Sequence, residues 1–89
     1  VLEQEIEIVN KLGLHARAAA KLVSTAGQFT SEVLLSKGNQ EINAKSIMGV
    51  MMLAASIGTI LTLKTSGADE QQAMDALVEL INDKFGEGE

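Results

Sequence analysis

The chain has no cysteine, proline, tryptophan or tyrosine, and two phenylalanines among its 89 residues. It has one histidine, His15, and one arginine, Arg17. Each absence excludes a class of chemistry. Without cysteine there is no disulfide framework, no thiolate metal site and no cysteine nucleophile. A single histidine builds no multi-histidine metal site, so neither a metal nor a cofactor is expected. No apolar run approaches the roughly 18 residues of a membrane span, and no segment reads as a basic-then-apolar leader. The expectation is a cytoplasmic chain with no membrane contact. Twelve acidic residues outweigh seven basic ones, a net charge of −5. Nucleic-acid binding needs the opposite surplus and is not expected.

What the chain does contain is a core. Leu, Ile, Val and Phe supply 26 of its 89 residues, above the level at which disorder is the default. The length suits one domain over residues 1–89. A domain this small buries only roughly 60–65% of its unfolded surface, so its local signals should agree with one another.

They do agree. Leu2, Ile6 and Ile8 alternate with Glu3, Glu5 and Glu7, the period of a strand with one wet face. Residues 10–13 read as a loop. Ala16, Ala19, Ala20, Val23 and Ala26 then fall on one helical stripe, with Gly27 placed as a left-handed stop. Residues 32–36 and 40–43 flank Lys37-Gly38-Asn39 as a hairpin. Ser46 precedes the apolar block 47–53 and reads as the N-cap of a short helix. Residues 59–65 alternate again as a fourth strand. Asp69 and Gln72 resemble a capping box for a long helix carrying Ala73, Met74, Leu77, Leu80 and Ile81. Gly86 is placed to end that helix, and residues 86–89 are expected to fray. The order βαββαβα predicts a two-layer α/β (α+β) sandwich, with helices on one face of a four-stranded sheet.

His15 stands at or beside the start of the Ala-rich helix. The first N–H groups of a helix have no intrahelical partner and bear a partial positive charge, so anions bind there. Arg17 in the first turn opposes the helix dipole, a local fault unless an anion visits. Neutral imidazole is a nucleophile, and attack on a phosphoryl donor would give a labile phosphoimidazole. Residues 11–21 carry Lys11, Arg17 and Lys21 and no acid, whereas residues 65–89 carry seven acids against Lys84. From residue types alone the plainer reading, a solvated surface pair, stays open. Ser46 likewise reads either as a plain N-cap or as a phosphorylation site, since phosphate is tolerated at a helix start. Met48, Met51 and Met52 read either as core or as an exposed, adaptable contact patch.

Gly13-Leu14-His15-Ala16-Arg17-Ala18-Ala19 closely resembles the active-site motif of the HPr family. These are the histidine-containing phosphocarriers of the bacterial phosphoenolpyruvate-dependent sugar phosphotransferase system. Lys45-Ser46-Ile47-Met48-Gly49-Val50-Met51 resembles the family's second motif, around a regulatory serine. The resemblance implies an open-faced sandwich with an antiparallel sheet in order 1-4-2-3. It implies that His15 takes a phosphoryl group on Nδ1 from phospho-Enzyme I and donates it to enzyme IIA domains, with Arg17 contacting the phosphate. The chain would then be a transiently phosphorylated carrier rather than an enzyme, and a monomer. Ser46 would be the target of HPr kinase/phosphorylase. Leu14, Ala20, Ile47, Met48 and Met51 would form the apolar docking surface. Ala18 departs from the family's usual proline; alanine is the better general helix former, so the helix start should survive. The alternative is a nitrogen-branch or purely regulatory paralogue acting as a phosphorylation-dependent binding module. Some members bring a C-terminal carboxylate to the active site, a feature not expected of this chain.

Overall fold

Alternation sends Leu61, Leu63 and Thr65 of one strand, β4 (Ile60–Ser66), to the same side of the sheet as Val33 and Leu35 of β2 (Glu32–Lys37). Ile6 of β1 (Leu2–Glu7) and the half-buried Ile42 of β3 (Gln40–Asn43) complete that inner surface. All neighbours are antiparallel and the strand order is β1-β4-β2-β3. The structure, a computed structural model, describes residues 1–89. Three helices cover the inner surface: α1 (Ala16–Ala26), α2 (Ile47–Met52) and α3 (Glu70–Asn82). Ala18, Ala19, Leu22 and Ala26 of α1, Val50 of α2, and Met74, Leu77 and Ile81 of α3 join the sheet residues in one core. The outer surface is wet. Glu3 and Glu41 flank Lys64 there at 3.8 and 4.0 Å, exposed pairs that add little stability. The element order and the two-layer sandwich are as expected.

The buried stripe of α1 is rotated from the expected one. Leu22, the largest apolar side chain of the helix, faces inward with Ala18 and Ala19, which turns Ala16 and Ala20 to solvent. Small alanines on both sides made the stripe ambiguous; Leu22 decides it. Gly27 is not a left-handed stop, since its φ is −68°. Its N–H still bonds Val23 O at 2.9 Å, and Gln28 N–H then bonds Thr25 O.

Three further expectations change towards the C-terminus. Asp69 makes no side-chain cap on α3. Its carboxylate instead crosses to β2's approach, accepting from the N–H groups of Thr30 and Ser31 at 2.9 Å and from the Ser31 hydroxyl. Those bonds, the hydroxyl first, lower its pKa to about 2. The N–H of Gly67 is taken by Glu70 at 3.0 Å. The helix α3 ends at Asn82 rather than at Gly86, and the tail does not fray. Phe85 is 1% exposed and belongs to the core. Lys84 and Phe85 (φ 55° each) and Gly86 (φ 75°) make a left-handed turn that carries the tail back across the molecule. There Glu89 O accepts from Lys11 N–H at 2.8 Å. A left-handed conformation costs non-glycine residues about 1–2 kcal/mol each, and burial of Phe85 offsets that cost.

Candidate functional site

The loop before α1 is shaped by two residues. Gly13 has φ +67°, and a Cβ there would lie 2.6 Å from Ala55 O, so only glycine fits. Asn10 is fully buried, and its Nδ2 donates to Gly13 O at 2.8 Å. Leu14 N–H then donates to Ala55 O at 2.9 Å. These bonds hold His15 at the N-cap of α1 with extended backbone angles.

His15 occupies that position without performing its usual task. Its side chain caps nothing, and the first turn holds no acid. The first intrahelical bond runs from Ala19 N–H to His15 O at 2.8 Å, leaving the N–H groups of Ala16, Arg17 and Ala18 with no acceptor in the chain. The helix start survives with Ala18, which is fully buried. Arg17 is exposed and makes no hydrogen bond or ion pair. His15, Arg17, Lys11, Leu12 and Lys21 line an open pocket of about 370 Å³ with the C-terminal tail.

The tail supplies what the sequence did not show. Glu87 places one carboxylate oxygen on Asn10 Nδ2 at 3.0 Å and the other on His15 Nε2. The Asn10 bond first, then the His15 bond, hold the Glu87 carboxyl below the usual carboxylate range, and the Lys21 charge adds to this. Lys21 is itself held by Phe85 O at 2.6 Å. An ionised carboxylate only accepts, so Nε2 carries the ring proton against it. In the neutral ring the lone pair then lies on Nδ1. A carboxylate at the active site was not expected. The one sequence signal for it was Phe85, an aromatic residue too apolar to sit in a frayed end.

Ser46 is exposed at the N-cap of α2, and its Oγ accepts from Gly49 N–H at 3.2 Å. Gly49 lets α2 approach β3, since a Cβ there would meet Ile42 Cβ at 3.2 Å. Of the methionine alternatives the exposed patch is the one observed: Met48 is 71% exposed, and Met51, Met52 and Ile47 are also exposed. Ala20 is exposed on α1. Leu14, at 6% exposure, is part of the core. Its position after Gly13 points it inward beneath the loop. No helix is long and apolar enough to cross a membrane.

Fold and site together define a small open-faced sandwich that offers one histidine at an uncapped helix start beside an unpaired guanidinium. The family model described as the PTS HPr component phosphorylation site matches residues 2–83. The phosphocarrier protein HPr of Cupriavidus necator is 60% identical over 89 residues, covering all of both chains. That of Neisseria meningitidis serogroup A is 61% identical, also over the full length of both. The crystal structure of HPr-C-His from Thermoanaerobacter tengcongensis superposes with a TM-score of 0.95 at 52% identity, covering 98% of each chain. The chain belongs to the HPr family, the phosphocarriers of the phosphotransferase system. Membership implies partners within that system, Enzyme I and IIA domains among them.

Proposed function

We propose that His15 is the residue that carries the phosphoryl group and that Arg17 clamps its oxygens. The observation that supports this most is a cation with no partner beside a ring whose free nitrogen stands at an unfilled helix start. The Nδ1 lone pair attacks phosphorus, the donor's bond to phosphorus breaks with its electron pair, and the proton stays on Nε2. The N–H groups of Ala16 to Ala18 and the guanidinium then face the phosphoryl oxygens, where charge-assisted bonds are strongest. In onward transfer a nucleophile of the IIA domain attacks phosphorus, and the Nδ1–phosphorus bond breaks with its electron pair going back to Nδ1.

Enzyme I is the donor and IIA domains the acceptors in this reading. Ala20, Ile47, Met48 and Met51 form the apolar surface they meet. Ser46, exposed at the edge of that patch, is the regulatory site for HPr kinase/phosphorylase; a phosphate there would repel an acidic partner. The carrier in this reading is a monomer working in the cytoplasm with its partners.

Incubation with Enzyme I and phosphoenolpyruvate tests the reading. The protein should gain one acid-labile, base-stable phosphoryl group, and His15→Ala should gain none. Uptake of that group by His15→Ala would overturn it.

A further inference from the structure

The C-terminal tail is fastened at four points. Phe85 is buried in the core, Phe85 O accepts from Lys21 Nζ, Glu87 accepts from Asn10 Nδ2, and Glu89 O accepts from Lys11 N–H. The left-handed turn at 84–86 is what aims Glu87 at the ring. So many fastenings make the Glu87–His15 contact a built feature rather than a chance meeting of surface groups.

We infer that Glu87 is a positioning residue: its carboxylate keeps the ring proton on Nε2 and so keeps Nδ1 open to the phosphoryl group. This rests on the reading of His15 as the acceptor. The two oxygens have separate tasks. One is committed to Asn10, whose Nδ2 is oriented by its other bond to Gly13 O. Asn10 Nδ2 therefore presents a donor to residue 87 and nothing else. The second oxygen faces Nε2 and requires a donor from it.

That division makes the isosteric variant informative. In Glu87→Gln the amide oxygen must face Asn10 Nδ2, since two NH₂ groups cannot pair. The amide NH₂ then faces His15 Nε2, which must accept. The ring proton moves to Nδ1 and blocks the attacking nitrogen. Glu87→Ala only frees the ring to exchange between tautomers. The conservative change should therefore do more harm than the truncation, the reverse of what a purely structural contact would show.

The test is ring ¹⁵N NMR on the neutral form of the full chain, with phosphoryl acceptance from Enzyme I measured in parallel. Wild type should show a protonated Nε2 and a bare Nδ1, Glu87→Gln the reverse, and Glu87→Ala a mixture. Acceptance should fall about tenfold or more in kcat for Glu87→Gln, as wrong-tautomer variants do, and less for Glu87→Ala. Thermal melts of both variants confirm that the comparison is between folded chains. One tautomer pattern in all three proteins, or a slower Glu87→Ala than Glu87→Gln, would overturn the inference. The NMR result does not depend on phosphorylation, so its failure is distinguishable from uptake of phosphate by His15→Ala.

Discussion

Two helix starts in this chain face opposite ways in chemical terms. At α2, Ser46 turns its hydroxyl back onto Gly49 N–H and satisfies its own helix. At α1, His15 leaves its helix unsatisfied, and Arg17 adds a cation where the dipole is already positive. The first start is complete in the isolated chain. The second leaves its first N–H groups open, where an anion would complete it. A helix start that gives up its own cap keeps its donors for a ligand, at a standing cost in stability. The comparison separates a start whose donor is satisfied within the chain from one whose donors stand open, a difference residue type does not show, since both positions are polar N-caps.

Short of replacing His15 itself, the largest expected effect comes from removing the unpaired cation. Arg17→Ala should lower kcat/KM for accepting the phosphoryl group by roughly 10- to 100-fold, the loss of about 1.5–3 kcal/mol in a charge-assisted bond. Its melting temperature should stay close to wild type, because Arg17 bonds nothing in the free protein. A large drop in stability with unchanged transfer would erase the contrast between the two starts.

Cap swaps sharpen it next. Ser46→Ala should cost about 1 kcal/mol in urea unfolding, and His15→Asn should gain about 1 kcal/mol while losing phosphoryl acceptance. Equal signs for the two variants would mean that His15 does not hold its start open.

The smallest effect concerns the third start, where Asp69 neither caps its helix nor waits for a ligand. Its carboxyl is depressed from 3.8 to about 2 by the Ser31 hydroxyl and the Thr30 and Ser31 N–H groups. The folded state therefore binds that proton less readily than the unfolded chain. The stabilisation is complete above the unfolded pKa near 3.8 and is lost as pH falls through about 2. Melting temperature followed from pH 5 to pH 2 should fall less steeply in Asp69→Asn. Part of the slope should persist in that variant, because Glu70 and Glu87 are depressed in the same direction. An unchanged slope would show that Asp69's bonds to residues 30 and 31 carry no weight.

Most of the architecture was legible because each strand declares its period and each helix its apolar spacing. The legibility failed where residues are ambivalent. Alanines on two sides of α1 hid its true face until Leu22 is seen in the core. Asp69 and Gln72 look like a capping box in sequence, but Ser31 and Thr30, 38 and 39 residues away, compete for the carboxylate and win it. Leu14 sits inside the active-site motif, yet the loop geometry set by Gly13 sends it into the core. The candidate site shows the same division. His15 and Arg17 are near neighbours in sequence and could be paired on the page, whereas Glu87 lies 72 residues from His15.

By itself the sequence determined the element order, the sheet's wet and dry faces, the two motifs and the placement of a lone histidine at a helix start. These follow from local rules, since periodicity, turn chemistry and capping act over a few residues. Tertiary structure alone decided which face of α1 is buried, which methionines reach solvent, and which nitrogen of His15 is free. Those outcomes depend on groups brought together from distant parts of the chain. A carboxylate finds its donor by distance in space, and the left-handed turn at Phe85 is held only because the core receives that ring.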